Sequence, residues 1–485
     1  MSLAQGSKPP YLRRGLLAAL VLVLVGTNAS AAEITVTTTT DADVSDAACS
    51  LREAITAANN NGAYHGCGPG QGADRIVFAV ATPATILLTA NLPAITGPTL
   101  IRGPGRDLLT IDGQDARQII QSTTPTPDRW LGIEDLTLTR GLATYGGAIY
   151  VADGTSVDLV RVRLEDNTAS NGGGAAYLAG SSSDPVRVSI VDSEIVGNSA
   201  AGASGVGGVR FNGPNMTASV RATTFRGNST THVNGGGGGL SVVDATATLD
   251  RVTVSGNSAA RHAGGILVNS NTSNSALTVS DSTIAANVVD ADSTGTGDGG
   301  GLYVSAAVGR SVSLVFRNSI VAANVDNAVT SYPDVYLTPS VEITIDWQSQ
   351  GWNLIGSNAN VTSWIPTGSP NADGDFVGAS ASPIDPRIAV LADNGGLTRT
   401  HLPLLETGSP VIDKGACTDA ERDQRFGAGG AGAGRIFDQL TVANHAQSDG
   451  CDIGAVESGA SGDDSVPLFE DGFESRTTLR WADLS

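Results

Sequence analysis

Lysine is all but missing from this 485-residue chain: only Lys8 and Lys414 occur, and the formal net charge is −20. So acidic a chain does not neutralise phosphates, which argues against nucleic acid as a partner, and a polyanionic sugar would need a cation to mediate contact. Metal and nucleophile motifs are missing too. The four Cys form no C-x-x-C, and His65, His232, His262, His401 and His445 are scattered, which leaves zinc without a ligand set. Neither G-x-S-x-G nor H-E-x-x-H occurs. The one apolar run, Leu16 to Val25, is too short for a membrane span, and no later segment reaches that length.

What stands around that run points to export. Lys8, Arg13 and Arg14 precede it and Ala29-Ser30-Ala31 offers small residues for cleavage, so residues 1–31 read as a secretory signal. The mature protein is then expected outside the cytoplasm, with no transmembrane segment. Four Cys suit that compartment. Cys49 and Cys67 are close in sequence, as are Cys417 and Cys451; three pairings are allowed and the two local disulfides are favoured.

With 61 Gly and 16% charged residues, the composition suits tight corners around a stacked interior. Between about 141 and 324 one pattern is written six times. An apolar residue stands three places before each of Asn167, Asn198, Asn228, Asn257, Asn287 and Asn324, in steps of 31, 30, 29, 30 and 37. Such a period signals a solenoid, propeller or array. Eight before each Asn stand Leu159, Ile190, Val220, Leu249, Val279 and Phe316, and three before stand Leu164, Ile195, Phe225, Val254, Ile284 and Val321. Six before, the column is mostly polar: Arg161, Asp192, Ala222, Arg251, Asp281 and Asn318. An unbroken strand would put minus six and minus eight on one face, so a bend separates two short strands. A Gly-Gly step opens a third strand, which places Tyr150, Tyr177, Phe211, Val242, Val268 and Val304 in register. The fold class expected is all-β, a right-handed parallel β-helix with a short N-terminal capping helix. The Asn column reads as structural, occupying left-handed corners and bonding amide to amide from coil to coil.

The cap is the stretch Cys49-Ser50-Leu51-Arg52-Glu53-Ala54. Ser50 and Glu53 form a capping box, Leu51, Ala54, Ile55 and Ala58 share a face, and Asn59-Asn60-Asn61-Gly62 ends the helix. These residues spell the motif that names the CSLREA domain of exported bacterial proteins, and the resemblance runs from about Ile34 to Gly113. The six repeats are similar to those of polymorphic outer-membrane proteins, which are surface adhesins, although nothing here resembles the membrane barrel of that family. Gln350-Gly351-Trp352-Asn353-Leu354-Ile355-Gly356, Asp393-Asn394-Gly395-Gly396, Asp423-Gln424-Arg425 and Asp452-Ile453-Gly454-Ala455-Val456-Glu457 resemble a choice-of-anchor Q domain, interrupted by a Gly/Ala insertion from Gly427 to Gly434. Phe469-Glu470-Asp471-Gly472-Phe473-Glu474 resembles short tails of exported Gram-negative proteins. These likenesses imply a secreted protein or one on the outer surface of a Gram-negative bacterium. The expected divisions are 1–31 signal, 32–113 cap and first coils, 114–339 regular coils, 340–458 anchor-linked domain, and 459–485 linker and tail.

Candidate chemistry is sparse. Asp192 and Glu194, two apart, are the candidate catalytic carboxylates, with a solvated face as the bland alternative. No pattern resembles those of polygalacturonases or pectate lyases. Asn371, Asp373 and Asp375 alternate around a Gly as calcium ligands do, against a plain turn, and no other cofactor is expected. The function expected is an exported, non-catalytic, adhesin-like or glycan-binding surface protein whose partner is a polysaccharide or cell-surface ligand. The alternatives are a polysaccharide lyase or glycoside hydrolase acting along a groove, and a passive stalk.

Overall fold

The structure, a computed structural model, describes residues 31–122, 129–152, 154–295, 297–405, 408–416, 423–426, 444 and 448–457. Among them the chain forms the expected right-handed parallel β-helix. One face is an eleven-stranded parallel sheet from Glu33–Val36 to Thr344–Ser349, and a third face is an eight-stranded sheet from Ile120–Ser122 to Val335–Leu337. Between them a second face runs from Ala84–Leu87 to Phe376–Val377. A ladder of two-residue strands, beginning with Thr168–Ala169, turns the corner after it. The sequence pattern missed this fourth, very short strand. Thr137–Ala143 is long enough to join both ladders.

One coil shows how the sequence builds all of them. Thr155–Val160 alternates, with Val157 and Leu159 inward. Arg161 then takes φ +53°, which resets the alternation so that Leu164 of Arg163–Glu165 also points inward. Asp192, Ala222, Arg251, Asp281 and Asn318 repeat this left-handed corner in the coils that follow. The second corner lies one residue earlier than expected. It falls at Asp166, Gly197, Gly227, Gly256, Ala286 and Ala323, all at positive φ, and not at the Asn that follows each.

The freed Asn side chains turn inward and are fully or almost fully buried. Asn167 Oδ1 accepts from the Gly141 N–H at 2.8 Å, and each later Oδ1 accepts from the Asn one coil before: Asn198 receives the backbone N–H and Nδ2 of Asn167, both at 2.9 Å. Each Nδ2 also donates to a carbonyl one coil back, as Asn228 does to Ile195 at 2.9 Å. The ladder ends on a carboxylate, where Asp334 Oδ1 takes Asn324 N and Nδ2 at 3.2 and 3.0 Å. A second ladder runs through the other corner, from Ser282 to Ser319 to Asn353, and ends on Asp375 in the same way.

The third strand corrects the sequence register. Val151 and Leu178 pair in line with Phe211 and Val242, so Tyr150 and Tyr177 fall in the outward column with Arg210. The aligned glycines are Gly174, Gly207, Gly238 and Gly264, each packed so closely on the next coil that a Cβ would meet its backbone at 2.2–2.6 Å or so. In the first two repeats the Gly-Gly step therefore begins one residue too early, and the alternation read from it was inverted.

The single α-helix among the described residues, α1 (Leu51–Asn60), closes the N-terminal end. Its Ser50–Glu53 capping box is formed, Asn61 ends it at φ +47°, and a disulfide joins Cys49 to Cys67. Cys451 is buried, and Cys417 lies outside the described residues. The signal, the Gly427–Gly434 insertion and the Phe469–Glu474 tail also lie outside them. No helix among the described residues is long and apolar enough to cross a membrane.

Beyond Phe376–Val377 the chain does not continue the rod. It doubles back along the second face, where Val411, Ile412 and Ile453 pack on Ile320, Ala322, Leu354 and Phe376. Gln424 bonds Thr224 and Thr253 on successive coils, and His401 Nε2 lies 2.8 Å from Ser255 Oγ. This strap reaches forward as far as Arg106, whose guanidinium donates to the Leu397 carbonyl.

Two predictions follow from the ladder. Asn228→Ala strands the buried N–H groups of Asn198, and is expected to cost about 2–5 kcal/mol by denaturant unfolding; a loss within that of a surface control would sink the ladder's role. Burial, working against the bonds from Asn324, pushes the Asp334 carboxyl up to about 6. The folded chain then holds this proton to higher pH than the unfolded chain, so stability falls as pH rises from about 4 to about 6 and levels beyond. Relative to Asp334→Asn, the natural chain should lose up to about 3 kcal/mol across that window. Parallel stability curves for the two would show the carboxyl to be unshifted.

Candidate functional site

The carboxylates singled out by sequence do not form a pair on one strand. Asp192 sits on the left-handed corner at φ +53°, and the strand begins only at Glu194. The corner breaks the alternation that would have aligned them. Asp192 instead stands in the corner column, within electrostatic reach of Arg106 and Arg161.

Glu194 faces out of the second face in register with Arg163 and Thr224. Its side chain is only 4% exposed because the strap covers it. Oε2 accepts from Arg163 Nε at 3.2 Å, Oε1 accepts from the Arg399 backbone N–H at 3.3 Å, and Arg226 Nε stands 3.9 Å from Oε1. The same contacts line a cavity of about 280 Å³ that also takes in Arg106, Glu165 and the turn at Asp393–Arg399. With both oxygens engaged, Glu194 fastens the strap to the coils and orients the arginines around it. The sequence pointed to Glu194 but not to its partners, because Arg399 is 205 positions away.

The third face carries a second concentration of side chains, which the sequence register hid. Tyr145, Tyr150 and Tyr177 cluster with centroids 5.1–6.2 Å apart, and the Arg210 guanidinium lies 5.8 Å above Tyr177. Four coils on, His262, Tyr303, Tyr336 and Tyr332 form a line, with successive centroids 4.3, 5.3 and 5.0 Å apart and the Tyr303 and Tyr336 rings stacked. All are outward, partly exposed or flanking positions of the same sheet edge. A notch of about 270 Å³ opens beside this line, floored by Arg261 and His262 and walled by Gly295, Asp298 and Val329.

Loop length makes the notch. Gly264 follows Asn257 by seven positions, whereas Gly300 follows Asn287 by thirteen, so one short coil corner lies beside a long one. The long step of 37 in the repeat spacing was the signal for it. Burial, reinforced by the Arg261 charge, brings His262 down to about 4, and its Nδ1 has no hydrogen-bond partner. Burial and the nearby Asp326 push Asp298 up to about 6. Near neutral pH the notch therefore presents a neutral imidazole beside a carboxyl that ionises late.

The calcium candidates share one tight turn in which oxygens of Asn371 and Asp375 already accept hydrogen bonds. Asp375 is buried and gives Oδ1 to Asn353, ending the corner ladder. Asn371 Oδ1 accepts the backbone N–H groups of Asp373 and Asp375 in a tight turn. The residues that do meet are Asp43, Glu53 and His65, whose ligating atoms lie within 4.8 Å of one another at the helix cap. There His65 Nδ1 is 3.1 Å from Glu53 and 3.3 Å from Asp43, while Glu53 also accepts from Ser50 N and Val44 N. Capping and ion pairing account for that cluster.

No family model matches the chain, and no curated protein or solved structure matches it either. The site must be read from its own geometry.

Glu194→Gln removes the charge shared by Arg163 and Arg226. The expected result is a loss of about 2–3 kcal/mol in strap docking, read as faster proteolytic cutting between 380 and 457 with the coil signature unchanged. Cutting at the natural rate would remove Glu194 from that role.

Proposed function

We propose that this is an exported, non-catalytic surface or secreted β-helix protein that binds glycans along its third face, in the manner of an adhesin. The observation that carries the reading is the aromatic line His262–Tyr303–Tyr336–Tyr332 beside a notch of about 270 Å³. Partly exposed rings give flat apolar faces for sugar C–H groups, and the Arg261 and Asp298 groups supply directional hydrogen bonds. Equal rises between coils present such rings at regular spacing, as a chain of sugar units requires. The signal-like residues 1–31 and the resemblance to CSLREA and choice-of-anchor Q proteins support export.

A second reading, a polysaccharide lyase or glycoside hydrolase, is favoured by Glu165 and Glu194 lining one cavity with arginines. Against it, both Glu194 oxygens are already engaged. Incubating the signal-free chain with neutral and acidic polysaccharides tells the two apart. Retention of a polymer without shortening is expected, and any shortening would replace the binding reading with the enzymatic one. Tyr303→Ala with Tyr336→Ala should weaken retention about tenfold or more, measured by affinity electrophoresis. Unchanged mobility would take the third face out of the reading.

A further inference from the structure

The cavity around Glu194 gathers four arginines and leaves two of their buried N–H groups without an acceptor. Arg106, Arg163, Arg226 and Arg399 line it with Glu165, Glu194 and Asp393, and Asp107 pairs with Arg163 from beside it. Arg163 is matched, by Glu194 at 3.2 Å and Asp107 at 2.8 Å. Two others are not. Arg106 donates through Nη2 to the Leu397 carbonyl, but its Nη1 is buried with no partner. Arg226 Nε is likewise buried without a hydrogen bond, since Glu194 at 3.9 Å is in ion-pair range only. Buried guanidinium N–H groups left empty are costly, and a site with two of them is poised for an acceptor.

We infer that this cavity binds a small carboxylate monoanion, of the class of a single sugar acid. A carboxylate brings two acceptor oxygens, and its bonds to guanidinium N–H groups are charge-assisted. A neutral sugar offers only uncharged acceptors, and a doubly charged phosphate meets twice the repulsion from Glu194 and Glu165. About 280 Å³ is at the small end of ligand pockets and admits about one ring. Burial lowers both Arg106 and Arg226, with the nearby Glu194 working the other way. The site lies on the second face under the strap, away from the tyrosines. It rests on the glycan-binding reading and extends it to acidic sugars.

The test is isothermal titration of the signal-free chain with glucuronate, glucose and acetate. Saturable one-to-one binding of glucuronate that weakens with added salt is expected, with glucose and acetate each far weaker. Arg106→Gln and Arg226→Gln should each weaken it about tenfold or more, while Tyr303→Ala leaves it unchanged. No saturable heat with millimolar glucuronate, glucose or acetate binding as tightly, or full binding in both arginine variants would each overturn the assignment. The salt series and the ligand comparison use the natural chain, so a variant that misfolds does not blunt the test. Loss of polysaccharide retention in the tyrosine variant with glucuronate binding intact separates the two sites, and the failure of either leaves the other standing.

Discussion

Six successive coils of this molecule turn on a buried amide. A parallel coil must take three polar corners past an apolar core, and each corner leaves backbone N–H groups facing inward, where no water reaches them. The Asn ladder meets that demand once per coil, each side chain serving the coil before it through both its oxygen and its nitrogen. Strand register, inward columns and the spacing of the outward side chains all depend on these corners holding one position. The corner residues at positive φ are short or polar in most coils, and at Arg161 and Arg251, which take the same conformation, the next backbone N–H is held by a Ser hydroxyl of the following coil.

The architecture was legible because a solenoid repeats its instructions. Columns such as Leu159, Ile190 and Val220 are read six times, so chance is averaged away, and the inward Leu164 column disclosed the corner between the strands. The capping helix was legible for another reason, since Ser50 and Glu53 act over three residues. What failed was local. In the third strand two neighbouring glycines made the start ambiguous by one residue, and with a period of two that single step exchanges inside for outside. Tyr150 and Tyr177 were therefore placed in register with Phe211 and Val242, and the aromatic flank vanished from view.

The candidate sites were less legible because they are made by departures from the repeat. The notch exists where the corner after Asn287 is longer than the corner after Asn257, and its ring line spans separate coils. The arginine cavity joins residues near 106, 163, 194 and 226 to a strap near 399, which no periodic pattern relates. Asp192 and Glu194 looked paired only so long as one strand was assumed to carry both. Asp375 looked like a ligand until the corner ladder claimed its oxygen.

A simple stack of coils unfolds much as a zipper opens, because each unit touches only its neighbours. The returning strap changes that. By fastening Asn318, Thr283, Thr253, Thr224 and Arg106 to residues of the returning chain, it ties distant coils to the same stretch of sequence. Fraying at the C-terminal end must first peel the strap from the middle of the rod. Cross-links of this kind, from the middle of a rod to its far end, favour the shared melting of a globule over the graded melting of a linear array.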